Sequence, residues 1–128
     1  MKRIALLLVT FFITTAAFAA NPQGFVWANQ ETSPSYAPNA SYAHNSTGGA
    51  VKITRTAAGA YTVLFAGLGA AGAAMKSNVQ VTAYNGRTAC NVVSWSGSPD
   101  LSVKVHCFYI PDGSMRDSQF TALVTFAP

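Results

Sequence analysis

Charged side chains are scarce in this chain of 128 residues. Lysine and arginine together number eight, aspartate and glutamate four, and histidine two, which gives a formal net charge of +4. The basic residues of the chain beyond its first few positions are scattered, whereas a nucleic-acid interface needs a clustered basic face. The composition therefore argues against a nucleic-acid partner and favours an uncharged polar surface.

Sequence motifs of known catalytic chemistry are also missing. The chain has no G-x-S-x-G nucleophile elbow, no H-E-x-x-H zinc motif and no Walker-type phosphate loop. His44 and His106 are the only imidazoles, and neighbours on a strand point to opposite faces, so His106 cannot form a dyad with the adjacent Cys107. We therefore predict a non-enzymatic protein with no catalytic residues.

Metal-ligating side chains are too few for a built site. A tetrahedral zinc site takes three or four ligands, and the chain offers two distant histidines and two cysteines. Asp112, Ser114 and Asp117 are a suggestive group of oxygen ligands in one loop, but they fall short of the number that calcium prefers. We predict no metal and no cofactor.

The longest apolar run lies at the start of the chain. Lys2 and Arg3 precede a short hydrophobic core, and Ala17-Phe18-Ala19 is an A-x-A cleavage site. This pattern predicts a cleaved signal peptide at residues 1–19 and one mature domain at residues 20–128, located outside the cell or in the periplasm. No later run approaches the length of a membrane span, and the mature domain keeps six basic and four acidic residues, a net charge of +2.

The only two cysteines flank a breaker at Ser96–Asp100, between two runs rich in β-forming residues. With Ser98 and Pro99 in the middle of the turn, the two runs pair as a hairpin. The predicted pairs are Cys90 with Cys107, Val92 with Val105, Val93 with Lys104, and Trp95 with Ser102. Directly opposed cysteines predict a cross-strand disulfide, which is typical of exported proteins.

Short alternating runs, separated by Gly, Pro and Asn turns, recur along the chain. The candidate strands are Phe25–Asn29, Ser41–Asn45, Val51–Thr56, Ala60–Phe65, Asn78–Tyr84, the two arms of the Thr88–Ile110 hairpin, and Phe120–Phe126. The Gly-rich stretch 66–76 is interpreted as a loop. Seven or eight short strands without a helix predict an all-β protein, either an antiparallel β-sandwich or a small barrel.

The two faces of the predicted hairpin differ in chemistry. Cys90, Val92, Leu101, Val103, Val105 and Cys107 form the apolar side. The opposite side carries the candidate binding face, made of Asn91, Trp95, Lys104 and His106. An exposed tryptophan among hydrogen-bonding groups can stack on a sugar ring or anchor a protein partner. Alternatively Trp95 is buried, as large aromatic side chains usually are, and Trp27, Tyr36 and Tyr42 could extend an aromatic surface.

A set of segments spread over the mature chain carries a family resemblance. In order they are Trp27-Ala28, 42–49, Arg55-x3-Gly59-x-Tyr61-x-Val63-x-Phe65, 79–84, Cys90-x2-Val93-Ser94-Trp95, 105–108 and Asp117-Ser118-x-Phe120-Thr121. Together they resemble an immunoglobulin-like domain of uncharacterised secreted bacterial proteins, where it often occurs in tandem. The resemblance implies the fold and export, and it implies no activity.

The leading hypothesis is an exported, non-enzymatic structural or protein-interaction module of the bacterial envelope or exterior, with a protein partner or self-assembly. A second hypothesis is a carbohydrate-binding module that uses the Trp95 face. A third is a small secreted enzyme inhibitor that presents the Ser96–Asp100 turn. The solvent exposure of Trp95 is the simplest observation that discriminates among these hypotheses.

Overall fold

The computed structural model describes residues 21–71, 76–84 and 86–127, so the predicted signal peptide lies outside the described residues. In these ranges the chain forms nine β-strands and two short 3₁₀ turns, Ala40–Tyr42 and Leu68–Ala71. The strands are β1 (Gln23–Ala28), β2 (Ser35–Tyr36), β3 (Ala43–Asn45), β4 (Val51–Ala57), β5 (Ala60–Phe65), β6 (Ser77–Tyr84), β7 (Thr88–Ser96), β8 (Leu101–Tyr109) and β9 (Gln119–Phe126). No described helix is long and apolar enough to cross a membrane.

The strands pair into two antiparallel sheets. The four-stranded sheet has the order β3-β1-β9-β6, and the five-stranded sheet has the order β2-β4-β5-β8-β7. This arrangement confirms the predicted antiparallel β-sandwich. The sequence pattern does not reveal β2, because this strand has two residues and lies between Pro34 and Pro38, which interrupt the alternation.

Alternate residues of the inner strands form one hydrophobic core between the sheets. The side chains that are fully buried include Phe65, Phe120, Ile53, Leu68, Leu101, Val26, Val63, Val103, Val105, Val124 and Cys107. Strand β1 buries its small residues Val26 and Ala28, and its larger aromatic residues Phe25 and Trp27 therefore lie on the outer face of the four-stranded sheet. This orientation creates the site described below.

The hairpin of β7 and β8 has the predicted disulfide but only part of the predicted register. Cys90 pairs with Cys107, with a Cα–Cα distance of 4.0 Å, and the disulfide joins them. A β-bulge between Val92 and Ser94 then shifts the pairing by one residue. Ser94 rather than Val93 faces Lys104, and Trp95 pairs with Val103 instead of Ser102. The predicted pairs beyond Val92 are therefore wrong, because the extra residue of a bulge re-aims the side chains that follow it.

Candidate functional site

The binding face predicted on the hairpin is not assembled. Asn91 pairs with His106, and Lys104 is exposed on the same outer face of the five-stranded sheet. Trp95 lies on the opposite side, because its cross-strand partner Val103 is fully buried in the core. The remaining polar residues of this face therefore have no tryptophan beside them.

Trp95 lies at the open edge of the sandwich, where its side chain is 38% exposed. Its indole nitrogen donates a hydrogen bond of 2.8 Å to the hydroxyl of Ser77, at the start of β6 in the other sheet. The side chain thus bridges β7 and β6, which are edge strands of different sheets. A contact of this kind links the two sheets at the edge of the sandwich, on the side of β7 that Asn91 does not share.

The Ser96–Asp100 turn, which the third hypothesis treats as an inhibitory loop, is hydrogen-bonded to the segment 67–70. The Asp100 carboxylate accepts a 2.8 Å hydrogen bond from the backbone of Gly67, and the carbonyl of Pro99 accepts one of 2.9 Å from Ala70. Gly69 packs so closely on the Gly97 carbonyl that no side chain would fit. Gly67 and Gly69 begin a G-x-G-x-x-G spacing, but in this sandwich they form the 3₁₀ turn that supports the hairpin.

The three oxygen-bearing residues of the loop after β8 do not converge. Asp112 accepts hydrogen bonds from the backbone and hydroxyl of Ser114, at 2.9 and 2.6 Å, which also lower the pKa of its carboxyl. Asp117 points to Arg55 instead. Among the described residues there is no group of three or more histidine, cysteine, aspartate or glutamate side chains that could hold a metal ion.

Asp117 is the centre of a polar network that joins β4, β5 and the segment before β9. Its carboxylate accepts two hydrogen bonds from the Arg55 guanidinium, at 2.8 and 2.9 Å. It also accepts one from the backbone of Gly59 at 2.8 Å, and the Tyr61 hydroxyl lies 3.0 Å away. The Arg55 bonds hold the pKa of this carboxyl below its ordinary value, and burial raises the pKa of Tyr61. These groups are satisfied by each other, so the network is structural.

Replacing Asp117 with asparagine is expected to lower the free energy of unfolding at neutral pH by about 2 kcal/mol, because a half-buried arginine loses its charged partner. The lowered pKa of Asp117 also determines the direction in which stability changes with pH. Stability from Asp117 is fully present above the ordinary aspartate pKa and is lost as pH falls through the lower folded value. Urea unfolding at pH 6 and pH 3 should therefore show a smaller acid loss in Asp117→Asn than in the parent protein.

Asp112→Asn is the matched control, since this exposed carboxylate bonds only within its own turn. It should change stability less than Asp117→Asn. Equal effects of the two substitutions would contradict the central place of Asp117.

The outer face of the four-stranded sheet carries a groove of about 410 Å³. Its wall combines aromatic and apolar side chains with uncharged hydrogen-bonding groups. We call it the aromatic groove, and its side chains are Phe25, Trp27, Tyr42, Leu123, Ser41, Gln80, Thr82 and Thr121. None of the described residues that line it is charged. This combination of exposed rings and neutral polar groups makes it the candidate functional site.

Trp27 lies at the centre of an aromatic cluster on this face. Tyr42 packs against it edge-on, with ring centroids 4.8 Å apart, and Tyr84 does so at 5.1 Å. Phe25 stacks on His44 at 5.7 Å and is 46% exposed. Tyr42 and Tyr84 also keep much of their surface in solvent. Rings that pack against each other and still face solvent form a preordered apolar platform.

Two polar atoms beside the platform are buried without a hydrogen-bond partner in the described part of the chain, the indole nitrogen of Trp27 and the side-chain carbonyl oxygen of Asn29. One is a donor and the other an acceptor. Leaving such groups unsatisfied costs free energy.

The sequence pointed only loosely to this groove. Trp27 and Tyr42 belong to it, whereas Tyr36 lies in the other sheet, is half-buried, and accepts a hydrogen bond of 3.1 Å from Gln30. The sequence alternation shows that Gln80 and Thr82 share one face of β6, and that Thr121 and Leu123 share one face of β9. These faces indicate a binding site only when the strand order places β6 and β9 on the same sheet as β1.

Comparisons of this chain with protein-family models, curated proteins and solved structures found no match. The resemblance to domains of secreted bacterial proteins therefore stays a prediction. What the site can do has to be argued from its own geometry.

Proposed function

We propose that this protein is an exported, non-enzymatic carbohydrate-binding module whose ligand occupies the aromatic groove. The observation that carries the proposal is the composition of the groove wall, in which exposed aromatic rings adjoin glutamine, serine and threonine and no charged side chain intervenes. Sugar rings have apolar faces and an edge of hydroxyl groups. The rings of Phe25 and Tyr42 can stack on the apolar face of a sugar. The glutamine amide and the serine and threonine hydroxyls of the groove can bond to the sugar hydroxyl groups.

The size of the groove favours a small glycan segment over a folded protein. Its volume of about 410 Å³ lies within the range of small-ligand sites. A stable protein interface needs roughly 800 Å² from each partner and a contiguous apolar centre. Here Gln80, Thr82 and Thr121 line the groove beside the aromatic rings, so hydrogen-bonding groups form part of its wall.

Export is supported by the predicted signal peptide and by the disulfide, because disulfides persist in oxidising compartments. The lack of catalytic motifs supports a binding role. In this proposal, the protein fulfils its role in the bacterial envelope or exterior by attaching to a glycan. The sequence-based hypothesis of a protein partner or self-assembly is its direct competitor, since a second copy could also cover exposed aromatic rings.

Calorimetric titration with neutral hexasaccharides of the cello, xylo, chito and malto series tests the proposal. At least one series should bind, and Phe25→Ala and Tyr42→Ala should each weaken that binding about tenfold through lost stacking. Phe25 and Tyr42 are 46% and 37% exposed, so each substitution should lower the melting temperature less than truncation of a core residue would. His106→Ala, on the outer face of the five-stranded sheet, is the control and should bind as the parent does.

Two results would overturn the proposal. Loss of binding in His106→Ala but not in Phe25→Ala would return the site to the hairpin face. Absence of any binding, together with concentration-dependent assembly in light scattering that the groove substitutions abolish, would identify a self-association surface.

A further inference from the structure

A second, polar pocket of about 340 Å³ lies beside the aromatic groove, at the end of the sandwich where β6 ends and β7 and β9 begin. Arg87 and Arg116 line it, together with Tyr109, Glu31 and Gln119. We call it the arginine pocket. It differs from the groove in charge, because the groove has none.

The strand register shows that the two depressions adjoin. Thr82 pairs with Thr121, and both line the aromatic groove. The next pair on the same face is Tyr84 with Gln119, and Gln119 lines the arginine pocket. Two residues along a strand span about 7 Å, a distance between one and two sugar units. One oligosaccharide can therefore extend from the groove into the pocket.

The charges of the pocket favour an anion. Neither Arg87 nor Arg116 forms a salt bridge with another described residue, and Arg116 lies over the Tyr109 ring at 4.5 Å. The Asp117 carboxylate also borders the pocket, but its charge is matched by the two bonds from Arg55. Glu31 is then the other acidic residue of the pocket lining, and the Asp112 carboxylate outside that lining also interacts with Arg116. A guanidinium group binds carboxylate or sulfate oxygens in pairs.

We infer that the ligand is an acidic glycan, with sugar rings on the aromatic groove and a carboxylate or sulfate substituent in the arginine pocket. This inference rests on the proposed function, because the groove supplies most of the contact. It adds a requirement that the groove alone does not impose, namely a negative charge about one to two sugar units beyond the aromatic platform. Arg87 and Arg116 are then the residues that determine specificity.

Matched ligands test this inference. An oligogalacturonate hexamer is compared with the same hexamer after methyl esterification of its carboxylates, and dextran sulfate oligomers with unsulfated dextran oligomers. At low salt the parent protein should bind the acidic member of at least one pair about tenfold more tightly, and salt should reduce the difference. Which pair shows the preference distinguishes carboxylate from sulfate.

Variants then locate the charge effect. Arg87→Gln and Arg116→Gln should remove most of the preference and leave the affinity for the neutral ligand unchanged. Glu31→Gln should increase the affinity for the acidic ligand, because a negative charge is removed from the pocket lining. Lys52→Gln, on an exposed position of β4 in the other sheet, is the matched control and should behave as the parent does.

The outcomes separate the two proposals. If neutral and acidic ligands bind equally well, the inference is wrong and the proposed function stands. If none of these ligands binds, the inference is wrong, and the titrations with the four neutral hexasaccharide series decide the proposed function. If the preference survives in the Arg87→Gln/Arg116→Gln double variant, it arises from the general charge of the protein, and the pocket does not recognise the anion.

Discussion

Gly59→Ala is expected to destabilise this protein by about 3 to 5 kcal/mol, close to the whole stability of many small domains. Gly59 follows β4 in the tight turn to β5 and has a φ angle of 68°, a region that side chains disfavour. A Cβ atom there would lie 2.6 Å from the backbone nitrogen of Arg116 and 2.6 Å from the carbonyl oxygen of Cys107. Because these two backbone atoms belong to different segments, a shift of Gly59 away from one does not relieve the clash of the Cβ atom with the other.

The position also has two hydrogen bonds to lose. The Gly59 nitrogen donates to Asp117, and its carbonyl oxygen accepts from the Cys107 nitrogen at 2.8 Å. A shift that relieves the clash would therefore stretch the network that joins β5 to the segment before β9. The effect should appear as a large fall in the urea midpoint, or as a loss of the folded circular dichroism spectrum.

Gly113→Ala is the control for the backbone angle alone. Gly113 has a φ of 72°, but a Cβ atom there would meet nothing within 4 Å. Its replacement should cost only about 1 kcal/mol. If Gly59→Ala lowers the free energy of unfolding no more than Gly113→Ala does, the β4–β5 turn does not pack closely on Cys107 and Arg116.

Removing the disulfide should have the second largest effect, a loss of about 3 kcal/mol in Cys90→Ala/Cys107→Ala. The bridge closes a loop with a sequence separation of 17, and in the chain-entropy model most of the loss comes from the freer unfolded state. Cys107 is also fully buried beside Val105 in the core, so its truncation removes packing contacts.

The reduced parent protein is the natural comparison. Because the chain has only two cysteines, a reductant should lower the parent's stability to nearly that of the double variant and should leave the variant itself unchanged. A reductant that destabilises both proteins equally would show that the effect does not come from this disulfide.

The fold was largely predictable because its signals are local. The run Ala60–Phe65 alternates and coincides with β5, and the two cysteines fall opposite each other when the hairpin is folded about its turn. The bulge at Val93 was missed, because the predicted pairs were counted outward from the turn with no extra residue in either strand. That single residue moved Trp95 from the outer face to the edge of the core.

The aromatic groove was not predictable, for a different reason. Sequence alternation shows that Phe25 and Trp27 share a face, but not that this face is outside, and large aromatic residues usually lie inside. The groove also combines β1, β6 and β9 with Tyr42, and their order in the sheet follows from tertiary packing. The candidate site on the hairpin came from residues close in sequence, whereas the site in the structure comes from strands far apart.

The proposed location of the glycan is tested most directly by a ¹H–¹⁵N correlation spectrum of the labelled protein, titrated with the neutral hexasaccharide that binds most tightly. The two tryptophan indole signals serve as opposite reporters, since Trp27 lies in the groove and Trp95 is bonded to Ser77 at the far edge. We expect shifts of the Trp27 indole and of the Thr82 and Thr121 amides, with the Trp95 indole unmoved. Shifts confined to Asn91, Lys104 and His106, or no shifts with any hexasaccharide, would contradict glycan binding in the aromatic groove.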